Sequence, residues 1–123
     1  MTSVKSAVGL MMPPKVREKL RERFVAMNVT HLHGPRAVRL SQDEAVVTCV
    51  LKNGEYYIES FIKHYLRMGF RHIFFMDNGS SDQTCSIAKS YDNVSICQCT
   101  LPIGSHQRLF KKYLSERVVR GGC

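Results

Sequence analysis

Two aspartates five residues apart mark the segment HIFFMDNGSSDQT: Asp77 ends an apolar run, and Asp82 follows an Asn-Gly-Ser-Ser turn. Ionised carboxylates only accept hydrogen bonds, so they suit N–H and O–H donors or a cation. An unshielded phosphate beside both would be repelled. A phosphate cradle is built instead from glycines and backbone N–H groups, commonly with a lysine. A nucleoside offers the matching donors: ribose hydroxyls and the ring N–H of uracil or guanine. Any attached diphosphate then lies elsewhere and needs a metal or a basic group. The same two carboxylates also suit a plainer use, in which Asp77 stabilises a tight turn and Asp82 is a first-turn helix charge.

Positioning such a pair requires a strand that ends on Asp77. The run RHIFFMDN (71–78) predicts one. The apolar, β-branched run AVVTCVLKN (45–53) predicts a buried parallel strand before it, and NVSICQCT (93–100) a third. Between the first two strands, Ile58, Phe61, Ile62 and Tyr65 mark one helical face; Glu55 falls in the first turn and Gly69 at the end. A shorter helix is expected from Asp82 to Ser90, with Ser80 and Gln83 at capping-box spacing. The last helix is expected to start near Ser105 and stop at Gly121-Gly122, with Leu109, Phe110, Tyr113 and Leu114 inward. This β-α-β-α-β-α order is that of a parallel α/β sheet, whose ligands bind outside the carboxyl ends of the strands. Asp77 is therefore expected on that rim.

Ahead of this unit, residues 1–44 read as an amphipathic helix and a linker. Val16, Leu20, Phe24 and Met27 follow helical spacing with charges between them, and THLHGPRAVRLSQDE reads as connection. The helix needs a partner surface, and it is expected either to pack on the sheet or to be mobile. His31 and His33 alternate without a third ligand nearby, which favours loop residues over a metal site.

The chain has 123 residues and a formal charge of +8. Residues 45–100 are balanced, with 5 basic and 5 acidic residues, so the excess lies on the flanks. Solvated helix faces account for such a distribution, and no Lys/Arg block interleaved with aromatics points to nucleic acid. Five cysteines without CxxC spacing argue against a disulfide framework or a zinc site. No apolar run reaches the roughly 18 residues of a membrane span. The opening MTSVKSAVGLMMPP makes a poor signal peptide. The expected compartment is the cytoplasm, with peripheral attachment to a membrane left open.

The stretch VVTCVLKNGEYYIESFIKHYLRMGFRHIFFMDNGSSDQT resembles the start of family 2-type glycosyltransferases, which have the GT-A fold. The likeness covers residues 45–120 and is strongest across the first two strands and their turn. It implies a partial GT-A, Rossmann-like three-layer sandwich with a mostly parallel sheet, spanning residues 45–123 as the nucleotide-binding half. It also implies transfer of a hexosyl-type group from a nucleotide diphosphate-sugar to an acceptor hydroxyl, the acceptor being unspecified. Carried over by position, Asp77 would accept from the base, Lys52, Asn53 and Glu55 would line the end of the first strand, and Asn78, Ser80 and Asp82 would shape the second loop. Arg108, near the start of the last helix, is a candidate phosphate contact.

The family's Lys-Asn-Glu run here carries an extra Gly54, and no aromatic stands beside Lys52 to stack on a base. The family holds a divalent cation, Mn²⁺ or Mg²⁺, with an Asp-x-Asp motif that follows a further strand. No Asp-x-Asp occurs here, so no metal ligand or catalytic residue is assigned, and the chain alone is expected to be inactive in transfer. Three other readings compete. The first is a non-catalytic nucleotide-binding or interaction module derived from the same fold. The second is a phospho-acceptor domain, which needs an acidic pair where Lys52 and Asn53 stand; dehalogenase-type chemistry likewise lacks its second carboxylate. The third is a basic protein that binds a polyanion through its first and last helices.

Overall fold

A computed structural model describes residues 12–120. In chain order the elements are α1 (Pro14–Met27), β1 (Thr30–His33), β2 (Val38–Leu40), β3 (Val46–Leu51), α2 (Ile58–Arg67), β4 (His72–Asp77), α3 (Thr84–Ala88), β5 (Val94–Gln98), α4 (Ile103–Ser115) and β6 (Val118–Arg120). The protein is of the α/β class. Its main sheet has the order β1-β5-β4-β3, in which β3, β4 and β5 are parallel and β1 is antiparallel to β5. The readings of the opening segment as a poor signal peptide and of Gly121-Gly122 as a helix stop lie outside the described residues. Among the described residues, no helix is long and apolar enough to cross a membrane.

The central strand β4 is buried along its whole length, as its unbroken apolar run requires. Its side chains alternate between two cores. Phe74 and Met76 pack with Cys97, Cys99, Leu109, Phe110, Leu114 and Val25 beneath α4 and α1. Ile73 and Phe75 pack with Ile58, Ile62, Ala88, Val94 and Ile96 beneath α2 and α3. Cys97 and Cys99 are thus small core residues on one face of β5, as their spacing implied. Burial pushes the Cys97 thiol up to about 11, which leaves it protonated and inert.

Several expectations are corrected. The segment read as a linker contributes two strands: β1 covers the outer edge of β5, and β2 pairs in parallel with β6. β1 and β3 are the edges of this sheet, and β3 is half-buried rather than enclosed. The last helix starts at Ile103 and ends at Ser115, so Ser105 does not cap it, and the Val-Val-Arg run after it is strand. The helix expected from Asp82 to Ser90 covers only Thr84–Ala88, and no Ser80/Gln83 capping box forms. Gly69 ends α2 as expected. It has φ +99°, and the amides of Gly69 and Phe70 donate to the carbonyls of Leu66 and Tyr65, the paired bonds of a Schellman motif.

α1 packs on the body through Val25 but does not lay its apolar stripe on the sheet. Only Val25 of this helix is buried. Glu18 and Glu22 turn toward α4, where Arg108 grips Glu18 through two bonds of 2.6 and 2.9 Å and Lys112 meets Glu22 at 2.8 Å. The apolar stripe of Val16, Leu20, Phe24 and Met27 is left exposed.

His72 opens β4 and is buried. The Ser95 hydroxyl donates its one hydrogen to the Pro35 carbonyl, so the 2.7 Å contact between His72 Nε2 and Ser95 Oγ requires Nε2 to donate. The ring therefore carries a hydrogen on Nε2. Burial, with smaller contributions from Arg71 and His33, pushes its pKa from 6.5 down to about 4. The folded pKa lies below the unfolded one, so the stability contributed by the neutral ring is complete above pH 6.5 and is lost as pH falls toward 4. Urea titrations across this window should show a loss of up to roughly 3 kcal/mol. His72→Gln should flatten that slope; an unchanged slope in the variant would place its origin elsewhere.

Candidate functional site

The ends of three parallel strands meet in register, with Leu51 beside Asp77 and Asp77 beside Gln98. The loops that leave β3 and β4 from this row are bound to each other. The Asn78 amide donates to the Leu51 carbonyl at 2.8 Å. Asn53 takes the left-handed conformation, φ +53°, which asparagine tolerates better than most residues. In that conformation its amide donates to Ser80 Oγ at 2.7 Å, and its Oδ1 accepts from the Ser81 amide at 2.8 Å. Further along, the Gly54 amide donates to Thr84 Oγ1 (2.8 Å), the Glu55 amide to Asp82 Oδ2 (3.2 Å), and the Gln83 amide to Glu55 Oε1 (3.0 Å). A Cβ at Gly54 would lie 2.6 Å from the Tyr57 ring, so a larger residue here would have to displace that ring.

Asp77 organises this rim from beneath. Its side chain is only 1% exposed. Oδ2 accepts from the Gly79 amide at 3.1 Å, the Ser80 amide at 2.9 Å and Gln98 Nε2 at 3.1 Å, while Oδ1 accepts from the Ser80 hydroxyl. Burial acts to raise the Asp77 pKa, but the bonds from Ser80, Gln98 and Gly79 together outweigh it and hold the carboxyl below its ordinary 3.8. Burial and the neighbouring Asp77 charge push the Cys85 thiol up to about 11. The pocket that Asp77 lines with Leu51, Ile58, Phe75, Thr84 and Cys85 is of water-molecule size, far too small for a nucleoside.

The expected open, ligand-facing Asp77 is therefore corrected. Its oxygens are directed at its own loop, because Gly79 at φ +94° turns the chain back over the carboxylate. Asp82 does similar work one turn later: its oxygens accept from the Thr84 amide at 3.0 Å, the Thr84 hydroxyl and the Glu55 amide. Asn78 donates from Nδ2 to the carbonyls of Cys99 and Leu101, tying the loop to the start of α4. Glu55 lies outside α2, not in its first turn, and is exposed together with Lys52 and Asn53. Arg108 is paired with Glu18 on the α1 side.

Three residues of the site were not anticipated. Gln98 and Thr84 complete the hydrogen bonding of the two aspartates. Gln98 was recoverable from the polar residue that closes the third strand, once the strand ends are aligned. Tyr56, four positions after Lys52, is 89% exposed and stands edge-to-face with Tyr57, the ring centroids 5.2 Å apart.

Among the described residues, no group of three or more His, Cys, Asp or Glu is placed to hold a metal ion. With Asp77 buried and Asp82 bonded to Thr84 and Glu55, this rim does not fit the divalent cation implied by the resemblance. The geometry defines an α/β protein with a mostly parallel sheet and a prearranged polar rim at its carboxyl edge. Comparison of the chain with protein-family models, curated proteins and solved structures returns no match.

Asp77→Asn keeps the shape but supplies one acceptor where two oxygens now receive four bonds, and it aims an NH₂ at existing donors. A loss of about 2–3 kcal/mol at neutral pH is expected from denaturant unfolding. The Asp77 pKa is lower folded than unfolded, so its stabilisation is present above 3.8 and lost as pH falls below that value. The gap between wild type and variant should narrow over that range; a gap under about 0.5 kcal/mol at neutral pH would deny Asp77 this role.

Proposed function

We propose that this chain is the nucleoside-binding half of a nucleotide-sugar-dependent glycosyltransferase domain of the family 2 type, with the first part of a GT-A fold. Its role is binding, and it does not turn over by itself. The observation that carries this reading is the bonding between the loops after β3 and β4, which fixes the KNGE and DNGSSD segments as one surface at the carboxyl edge of adjacent parallel strands. Ligands of open α/β sheets bind at this edge.

In this reading Asp77, Asn78 and Ser80 hold the rim, and the groups that meet the ligand are those facing water. The Lys52 ammonium is exposed and free to approach a ribose or phosphate oxygen. Glu55 uses one carboxylate oxygen on the Gln83 amide and leaves the other for a ribose hydroxyl. Tyr56 supplies the stacking face that the sequence lacks beside Lys52. The nucleotide diphosphate-sugar remains the proposed ligand, and the cation of the full transfer reaction is not assigned to these residues.

A second reading is favoured by one specific observation: the Asp77 carboxylate is already fully engaged within the chain. On that reading the rim is a structural device in a non-catalytic interaction module.

Amide NMR with uridine and guanosine diphosphates separates the two. Binding in the range of about 0.1–1 mM, with shifts confined to residues 52–56 and 78–82, is expected. No shift there at about 5 mM ligand would leave only the module reading. Sugar transfer catalysed by this chain alone would overturn the assignment of a binding half.

A further inference from the structure

The outward face of α1 combines two properties that the rest of the fold does not use. Val16, Leu20, Phe24 and Met27 are 45%, 47%, 50% and 83% exposed, and their spacing sets them along one side of the helix. Lys15, Lys19 and Arg23 run beside this stripe and share a shallow furrow with Val16 and Leu20. The helix's two acidic residues are on the opposite side, each bound to a basic residue of α4. The exposed half is therefore apolar and purely basic. Among the described residues, Lys15, Lys19 and Arg23 have no acidic partner within 4.0 Å.

We propose that α1 docks this protein onto an anionic lipid bilayer. The apolar stripe would enter the boundary between headgroups and acyl chains, and the flanking basic residues would meet lipid phosphates and carboxylates. Such an arrangement is the one by which amphipathic helices lie in a membrane interface. Lys and Arg reach the headgroup level while their stems cover apolar surface. The furrow is shallow and lined only by side chains of this helix, which suits a fluid bilayer better than a preformed protein groove. A second copy is disfavoured, because two such faces would bring like charges together with no carboxylate between them. At 14 residues, α1 lies on the membrane and does not span it.

The same arrangement explains why the helix is held to the body mainly by charge. Glu18 and Glu22 anchor one side through Arg108 and Lys112, and Val25 is the single buried contact. Val16, Leu20 and Met27 are then free to face the lipid, and Phe24, half-exposed, lies beside His106 of α4. This inference is independent of the nucleotide rim, because it uses none of its residues.

Vesicle flotation of the full chain tests it. Phosphatidylcholine vesicles containing about 30% phosphatidylserine should carry the protein, and pure phosphatidylcholine should carry at least tenfold less. Leu20→Ser with Met27→Ser, and separately Lys19→Ser with Arg23→Ser, should each lower partitioning by about tenfold or more. All four positions are exposed, and an unchanged circular dichroism spectrum shows that the fold persists. The chain has no tryptophan, so Leu20→Trp gives a clean reporter whose emission should shift to the blue on anionic vesicles. Absence of binding to anionic vesicles would overturn the proposal. So would equal binding by the apolar double variant, which would mean a headgroup contact without insertion. Tighter binding to a polyanion such as polyuridylate, unaffected by the apolar substitutions, would also overturn it in favour of a nucleic-acid surface.

Discussion

The buried carboxylate of Asp77 is the interaction on which the functional edge of this protein depends. Placing a charge where 1% of its residue surface remains exposed is costly unless the charge is bonded. Here the bonds come from three directions: the returning loop through Gly79 and Ser80, the neighbouring strand through Gln98, and, through Ser80 Oγ, the Asn53 amide of the preceding loop. Charge-assisted bonds of this kind are stronger than neutral ones. One side chain thereby joins the ends of β3, β4 and β5 into a single surface. Without it, the Gly-Ser-Ser turn would have no fixed partner and the contacts from Asn53 to Ser80 and Ser81 would lose their frame.

That surface is what makes the nucleotide-binding reading physical, and it also changes which residues carry it. A carboxylate consumed by its own loop cannot simultaneously receive a base. In the proposed reading, recognition falls to residues that stand in water at the same edge, Lys52, Glu55 and Tyr56, while the buried ones supply rigidity. Prearranged polar edges of this type spare a ligand the entropy of ordering loops on binding. The charge of the molecule is divided in the same spirit. The rim is acidic on balance, with Lys52 against Glu55, Asp77 and Asp82, and the basic excess is carried by α1 and α4, where it either pairs internally or faces outward beside apolar side chains.

Much of the architecture was legible because it rests on long periodic signals. The apolar runs of β3, β4 and β5, the Ile58/Ile62 face of α2 and the Leu109/Phe110/Leu114 face of α4 all appear where their patterns place them. The elements that were missed are short and depend on partners. β1 is four residues with two histidines and a register shift between His31 and His33, and β2 and β6 are three residues each. Such strands exist only because an edge of β5, or each other, completes their hydrogen bonding. The orientation of α1 was hidden for a related reason. Periodicity reveals a stripe but not which side a helix turns inward, and here ion pairs to α4 and the burial of Val25 decide it. Likewise the spacing of Asp77 and Asp82 identified a rim, while the direction of the carboxylate depended on Gly79 turning the chain back over it.

The ionisation of Asp77 is the most direct measure of this arrangement, because burial and hydrogen bonding act on it in opposite directions. Its side-chain carboxyl carbon can be followed by ¹³C NMR from about pH 7 to about pH 2 in the folded chain. A titration midpoint below 3.8 is expected, since the loop and Gln98 donors favour the charged form. A midpoint above 3.8 would mean that burial prevails, that the donors do not hold the carboxylate, and that the carboxyl edge of the sheet is not organised from residue 77.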